Sequence, residues 1–250
     1  MELVPTGFHN AAWSGFRAPR SAFDPAFTRA ELLVIVAVVT LLALVVLPAL
    51  ANTRPRSARV ICANNLRQIA AAMQLWGNDH SDQAPWDVAI AEGGTKVHPL
   101  AVNAWLHFAW MSNELVSAKV LLCPSDSGRP AFDFSLAPDT GYLHANLRGN
   151  ATSYLLSHAF RGSPNVLLVA DRNMGSDQGA GGCAVFNTAL RASMRPFSGA
   201  FVWTTNLHNQ QGNFLRADGR VEQLSNQALR EEIGKSPIDD NGTIHFITPR

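Results

Sequence analysis

The sequence has few charged residues and almost no excess of either sign. Charged side chains make up 16% of its 250 residues, against about 25% in average soluble proteins. Its 20 basic and 19 acidic residues leave a formal net charge of +1. Nucleic-acid binding usually goes with a strongly basic surface, so this balance argues against a nucleic-acid partner.

Cysteine is scarce as well. The three cysteines, Cys62, Cys123 and Cys183, lie far apart and form no CxxC pair, which argues against a zinc knuckle or a thioredoxin-type motif. In an oxidising compartment the three cysteines could form one disulfide and leave one thiol. The spacing alone allows any of the three pairings.

Catalytic signatures are also lacking, because no G-x-S-x-G, H-E-x-x-H, P-loop or G-x-G-x-x-G occurs. We therefore predict that the chain is not an enzyme. Asp171, Asn173 and Asp177 place oxygen donors in a glycine-rich stretch, and such hard ligands suit Ca²⁺. Their spacing matches no EF-hand, so no metal is predicted and calcium is kept as the alternative.

One long apolar run stands out from this background. Between Leu32 and Ala51 only Thr40 and Pro48 interrupt it, and about 20 residues suffice to cross a bilayer as a helix. The run is apolar on every face, unlike a helix of a soluble core, so we predict one membrane-spanning helix. A signal peptide cut after Ala51 is the alternative, but its apolar region would be only about 7–15 residues long.

The start of the run carries a more specific pattern. The letters A-F-T-x-x-E-L-L-V-I-V resemble the N terminus of type IV prepilins and type II secretion pseudopilins. This resemblance implies that a prepilin peptidase cuts between Ala26 and Phe27, and that Phe27 becomes N-methylated. Pro48 stands where many pilins carry a helix-kinking proline.

Glu31 would be the fifth residue of the processed chain. An unpaired carboxylate in lipid is costly, and the residues at +4, +7 and +11 are apolar, so we expect no partner on its own helix. The resemblance implies that Glu31 pairs with the amino group of a neighbouring subunit in a filament. A carboxylate solvated among lipid headgroups is the alternative.

The chain after the run is predicted to form one amphipathic helix and then a β-rich region. Cys62, Leu66, Ile69, Met73 and Trp76 recur at helical spacing and predict one apolar stripe. A short helix is predicted over 101–115, and long loops over 125–150 and 171–200. The predicted strands are 119–122, 153–157, 166–170, 213–217 and 221–224.

The clearest hairpin is NFLRADGRVEQL, in which Asp218 and Gly219 predict a two-residue turn with positive φ at both positions. Nine residues lie between His208 and this pair. The resulting H-x(9)-D-G pattern resembles the C-terminal signature of a bacterial prepilin-like family. Four further pieces resemble that family in the same order: CANNLRQIAAAMQLW, LLCPSD, SYLLS and VADRN. A disulfide between Cys62 and Cys123, which lie in two of these pieces, would pin the helix to the sheet; two buried thiols are the alternative.

These resemblances imply an α+β, pilin-like fold with one long N-terminal helix packed on a small antiparallel sheet. Residues 1–26 would be a leader, 27–51 the membrane and assembly helix, 52–79 its amphipathic continuation and 80–250 a periplasmic or extracellular domain. The implied function is non-enzymatic: a single-pass subunit of the cytoplasmic membrane that contacts lipid and assembles with other pilin or pseudopilin subunits. The alternatives are a monomeric binding module and a metal-dependent hydrolase, either of them using the His208 and Asp218 hairpin.

Overall fold

The computed structural model describes residues 28–51, 53–157, 167–176, 191–194, 201–235 and 244–247. The predicted cleavage residues Ala26 and Phe27 lie outside this part of the chain, as does Asp177. The chain divides into two units, Met1–Ala49 and Leu50–Arg250, which are described one after the other. The helices are α1 (Arg29–Ala51), α2 (Thr53–Asp79), α3 (Ala104–Trp110), α4 (Ser112–Leu115) and α5 (Asn226–Lys235).

Helix α1 begins with a reciprocal cap. The Glu31 carboxylate accepts hydrogen bonds from the Thr28 backbone N–H at 2.8 Å and from its hydroxyl at 2.9 Å, while the Glu31 N–H donates to the Thr28 Oγ1 at 3.2 Å. This is a capping box, T-x-x-E, which satisfies N–H groups that a helix start leaves unpaired. Our expectation that Glu31 has no partner within its own helix is therefore wrong, because the partner lies three residues before it.

The rest of α1 exposes apolar side chains on all sides. Leu33, Leu41 and Leu44 are 70%, 64% and 69% exposed, for example. Within the described residues, Arg29–Leu47 is the one helix that is long and apolar enough to cross a membrane. A helix of this kind near the N terminus is consistent with an anchor and also with a signal sequence, so length and composition leave the choice open.

In the second unit, α2 carries the predicted stripe. All five of its apolar side chains, from Cys62 to Trp76, are buried. Leu66, Ile69, Met73 and Trp76 pack in one core with α3 and with one face of the sheet. The helical period of the sequence therefore located the buried face of α2 correctly, since residues three and four apart share one side of a helix.

The fold is mixed α+β, and its sheets are antiparallel. The strands are β1 (Tyr154–Ser157), β2 (Leu167–Asp171), β3 (Met174–Ser176), β4 (Arg191–Met194), β5 (Phe201–Trp203), β6 (Gln211–Arg216), β7 (Val221–Ser225) and β8 (Ile244–Ile247). Six of them form a sheet in the order β4-β8-β1-β2-β6-β7, and β3 pairs with β5.

The six-stranded sheet is covered on both faces. Leu156 and Leu215 point into the core shared with α2, whereas their chain neighbours Leu155 and Phe214 pack in a second core with β5 and α5. This alternation follows from the two-residue period of a strand. It explains why β1 and β2 consist wholly of buried residues.

Three sequence-based predictions of local structure are wrong. The strand predicted at 119–122 is a 3₁₀ helix, Ala118–Leu121, which begins where the Ser117 hydroxyl accepts a hydrogen bond from the Lys119 N–H. A short apolar run does not by itself distinguish a strand from a helical turn. The loop predicted over 171–200 contains β3 and β4. The short helix predicted over 101–115 is two, α3 and α4.

The hairpin between β6 and β7 also differs from the prediction. Its loop has three residues, closed by the Arg216 N–H donating to the Arg220 carbonyl at 2.9 Å. Gly219 has a φ of 85°, whereas Asp218 does not adopt a positive φ. This geometry is a type I turn followed by a glycine bulge, and it needs the left-handed conformation only once.

Gly212 of β6 allows a close approach that any side chain would block. A Cβ atom there would fall inside the van der Waals contact distance of the Trp203 indole, whereas a Cβ at Gly234 of α5 would meet nothing. We predict that Gly212→Ala lowers the free energy of unfolding by about 1–3 kcal/mol through overpacking. Gly234→Ala should instead raise it by up to about 1 kcal/mol, because alanine loses less backbone entropy in a helix.

Urea unfolding followed by far-ultraviolet circular dichroism measures both variants. Equal unfolding midpoints for Gly212→Ala and the parent chain would show that the indole does not lie against this glycine.

Candidate functional site

The sequence pieces that resemble one family meet at one buried place in the second unit. Cys62 comes from α2, Cys123 follows the 3₁₀ helix, Ser153 precedes β1, Asp171 ends β2, and His208 precedes β6. Four of them are fully buried, and His208 is 6% exposed. Residues scattered over much of the chain thus form a single polar cluster inside an apolar core, which we call the buried cluster.

A disulfide joins Cys62 to Cys123, with 5.1 Å between the two Cα atoms. Of the two alternatives left by the sequence, the structure therefore has the bridge. Two hydrogen bonds support it from either side: Asn65 donates to the Leu122 carbonyl at 3.1 Å, and the Tyr154 hydroxyl donates to the Cys62 carbonyl at 3.4 Å. Together these contacts fix α2 to the segment that leads into β1.

His208 lies between the disulfide and a buried carboxylate. Its Nε2 is 3.4 Å from the Cys123 Sγ and 3.4 Å from the Asp171 Oδ2. The same Oδ2 accepts hydrogen bonds from the Asn213 backbone N–H at 2.7 Å and from its side-chain amide at 2.9 Å. Within the described part of the chain, Asp171 Oδ1 is buried without a hydrogen-bond partner.

Burial favours the neutral forms of both groups. It raises the pKa of Asp171 to about 7, although the two hydrogen bonds from Asn213 oppose this shift. It lowers the pKa of His208 to about 4, and the positive charge of Arg59 adds to that decrease. Taking a charge out of water disfavours the ionised state of an acid and of a base alike. At neutral pH the imidazole is therefore uncharged.

A second acidic residue supports the cluster from the direction of the surface. Asp126 accepts a hydrogen bond from the Ser153 hydroxyl at 2.6 Å and forms an ion pair with Arg172. The Ser153 Oγ in turn accepts the Cys123 N–H at 2.9 Å. A chain of hydrogen bonds thus runs from the Arg172 guanidinium, which is partly exposed, to the backbone of the disulfide.

The hydrolase-type pair of His208 and Asp218, which the sequence left only as an alternative, is not assembled. His208 precedes β6 and Asp218 follows it, and six residues of strand separate such positions by roughly 20 Å. Asp218 accepts hydrogen bonds from the Arg220 N–H at 3.0 Å and from its guanidinium at 2.5 Å. The pairing of His208 with Asp218 is therefore wrong: the partner of His208 is Asp171.

Asp171 and Asn173, which were considered for calcium, make other contacts, although Asp171 Oδ1 and Asn173 Oδ1 have no hydrogen-bond partner among the described residues. Asp171 turns inward to Asn213, and the Asn173 side chain donates to the carbonyls of Thr204 and Gln211 at 3.3 and 3.0 Å. Asp177 lies outside the described residues. Across the described ranges, the one set of three His, Cys, Asp or Glu residues whose ligand atoms lie within 4.8 Å of one another is Cys62, Cys123 and His208.

Sequence reasoning placed all five members of this cluster in named motifs but joined only Cys62 and Cys123, as one of two alternatives. The contact of His208 with Asp171 depends on the pairing of β2 with β6, which brings Asp171 alongside Asn213. A usable signal is the polar Asp171 directly after the apolar LLVA of β2, since a carboxylate at the end of a buried strand requires a nearby partner.

No protein-family model, curated protein or solved structure matches the chain.

The buried cluster predicts two opposite pH dependences. Asp171 has a higher pKa in the folded chain than the ordinary 3.8, so its contribution to stability is lost as the pH rises from about 4 to 7. His208 has a lower pKa in the folded chain than 6.5, so its contribution is gained as the pH rises from about 4 to 6.5. The two effects largely cancel in the parent chain.

Removing either side chain should reveal the pH dependence that the other contributes to the stability. Relative to the parent, the free energy of unfolding of Asp171→Asn should increase between pH 4.5 and 7. That of His208→Gln should decrease over the same range. Urea unfolding at several pH values, without reductant, measures both differences. If the difference in the free energy of unfolding between each variant and the parent does not change with pH, neither side chain has the shifted pKa that its burial predicts.

Proposed function

We propose that the chain is a non-enzymatic, membrane-anchored prepilin-like subunit of a type II secretion or type IV pilus-like system. The observation that carries the proposal is α1, an exposed apolar helix whose first turn carries Glu31, bonded to the capping Thr28. In this proposal a prepilin peptidase removes residues 1–26, and the processed helix then holds the protein in the cytoplasmic membrane and packs with the helices of other pilin or pseudopilin subunits.

The apolar surface of α1 supports the anchor. Fully burying a single Leu or Val side chain is worth about 1.5–3 kcal/mol, and α1 exposes more than ten such side chains to its surroundings. A surface of this size marks a site of membrane or protein contact. Lipid covers it in the membrane, and neighbouring helices would cover it in a filament.

The cap at Glu31 supports a cut before Phe27. Because α1 begins at Arg29, cleavage between Ala26 and Phe27 would leave only Phe27 and Thr28 ahead of the helix. The new ammonium group would then lie within about one helical turn of the glutamate. The Thr28 contacts hold the Glu31 carboxylate at the helix start. There it can form an ion pair with the N-terminal ammonium group of a neighbouring subunit.

The disulfide supports a location outside the cytoplasm for the second unit. Disulfides persist in oxidising compartments such as the periplasm and are rare where cellular thiols keep proteins reduced. The bridge between Cys62 and Cys123 therefore suits a domain that faces the periplasm or the exterior. There the domain would present its loops to cargo or to other subunits.

The N terminus of the processed protein tests the proposal. With prepilin peptidase and the partner subunits co-expressed, mass spectrometry of the membrane fraction should find a chain that starts at methylated Phe27. Glu31→Val should keep this N terminus and membrane insertion, but its amount in sheared filaments should fall severalfold because the carboxylate no longer neutralises a neighbouring ammonium group.

Thr40→Val is the matched control. The Thr40 hydroxyl bonds to the Val36 carbonyl of its own helix at 2.7 Å, so its loss should leave filament content unchanged. A protein that starts at Met1 or Asn52 would contradict the proposed cleavage. Normal filament content of Glu31→Val would contradict the pairing.

A further inference from the structure

We propose that the chain with its disulfide reduced binds one zinc ion through Cys62, Cys123 and His208, with Asp171 as the fourth ligand. The site lies in the second unit and is independent of the anchor and of the function proposed for it. Reduction of the bridge would convert the buried cluster from a covalent link into a metal site that joins the same elements.

The donor atoms already lie at distances that a zinc site requires. The His208 Nε2 is 3.4 Å from the Cys123 Sγ and 3.4 Å from the Asp171 Oδ2. With Zn–S near 2.3 Å and Zn–N and Zn–O near 2.1 Å, tetrahedral coordination gives S–N and N–O separations of about 3.4–3.6 Å. The S–N edge of the tetrahedron is therefore present before any metal binds, and the Asp171 carboxylate lies beside it.

For zinc to bind, the two sulfurs must move apart and toward the Asp171 carboxylate. In a tetrahedral site two thiolates on one zinc ion lie about 3.8 Å apart, so the Sγ atoms of Cys62 and Cys123 separate once their bond is broken. The Cys62 Sγ already lies within 4.8 Å of the His208 imidazole. Rotation about the Cα–Cβ bonds of the two cysteines would provide this separation.

The chemistry of the donors selects the metal. Two thiolates with one imidazole form a set that zinc prefers, whereas Ca²⁺ and Mg²⁺ require oxygen ligands. Asp171 adds one oxygen, and its Oδ1 has no hydrogen-bond partner among the described residues. Asn213 holds the other carboxylate oxygen with two hydrogen bonds, as the surrounding residues of a metal site commonly do for a ligating carboxylate.

A dithiol reductant can convert the disulfide form of the chain into the reduced form that binds zinc, with electrons and protons in balance. The reductant transfers two electrons and two protons to the bridge and becomes a disulfide itself, which leaves the Cys62 and Cys123 thiols. Zn²⁺ then displaces both thiol protons as it bonds to the sulfurs. An oxidising disulfide reverses the sequence: it accepts the two electrons, the S–S bond forms again and the metal leaves.

A surface pocket lies beside the chain neighbours of two proposed ligands. An open pocket is lined by Asp126, Arg172, Asn173 and Leu207. Arg172 and Leu207 are the chain neighbours of Asp171 and His208, so the pocket adjoins two of the proposed ligands.

Zinc binding to the full chain in detergent tests the proposal. The chain is reduced with a phosphine, desalted without oxygen, and titrated with Zn²⁺ against a chromogenic chelator. We expect one tightly bound zinc ion per reduced chain and none in the oxidised chain. Cys183→Ser, which removes the third cysteine, should bind zinc as the parent does, and His208→Gln should bind it about 10–100-fold more weakly.

Two measurements on the parent sequence guard against misfolded variants. Zinc should protect Cys62 and Cys123 of the reduced chain from alkylation and leave Cys183 equally reactive. Co²⁺ in place of zinc should give thiolate-to-cobalt charge-transfer bands and the visible bands of a tetrahedral ion. Equal zinc binding by the reduced and oxidised chains, or alkylation of all three cysteines at unchanged rates, would overturn the proposal.

Discussion

The bridge between Cys62 and Cys123 is the constraint on which the second unit depends. It joins α2 to the segment before β1 across 61 residues of chain, a loop whose closure in the unfolded state is worth about 4 kcal/mol in the chain-entropy model. Without the bridge, α2 would be held to the sheet by one apolar stripe and a few hydrogen bonds. The bridge therefore adds a covalent link between α2 and the segment before β1 to the packing of the stripe.

The polar residues around the bridge explain why this place differs from an ordinary core. Burying Asp171 and His208 costs solvation free energy that an apolar pair would not lose. The cost is limited because both groups favour their neutral forms and because Asn213 bonds to the carboxylate. A cluster that reduces stability in this way is a candidate for a functional role, since perturbed titratable groups concentrate at such sites.

The sequence predicts features that depend on residues close together in the chain better than features that depend on residues far apart in it. The buried stripe of α2 and the strands near 154–157 and 221–224 follow from local periodicity and were found. The cap at Glu31 is equally local and was overlooked, although T-x-x-E is written in the sequence. Strands β4 and β8 are paired with each other across some fifty residues; no local pattern marks β4, whereas the run IHFI of β8 fits the pattern of a strand. The contact of His208 with Asp171 was out of reach for the same reason, because sheet register creates it.

The unfolding of a Cys62→Ser, Cys123→Ser double variant tests most directly whether the bridge organises the domain. Measured by urea unfolding of the full chain with a metal chelator present, its free energy of unfolding should lie about 2–4 kcal/mol below that of the oxidised parent. Cys183→Ser should match the parent in the same assay. A double variant whose stability stays within about 0.5 kcal/mol of the parent would show that α2 is held to the sheet without the disulfide.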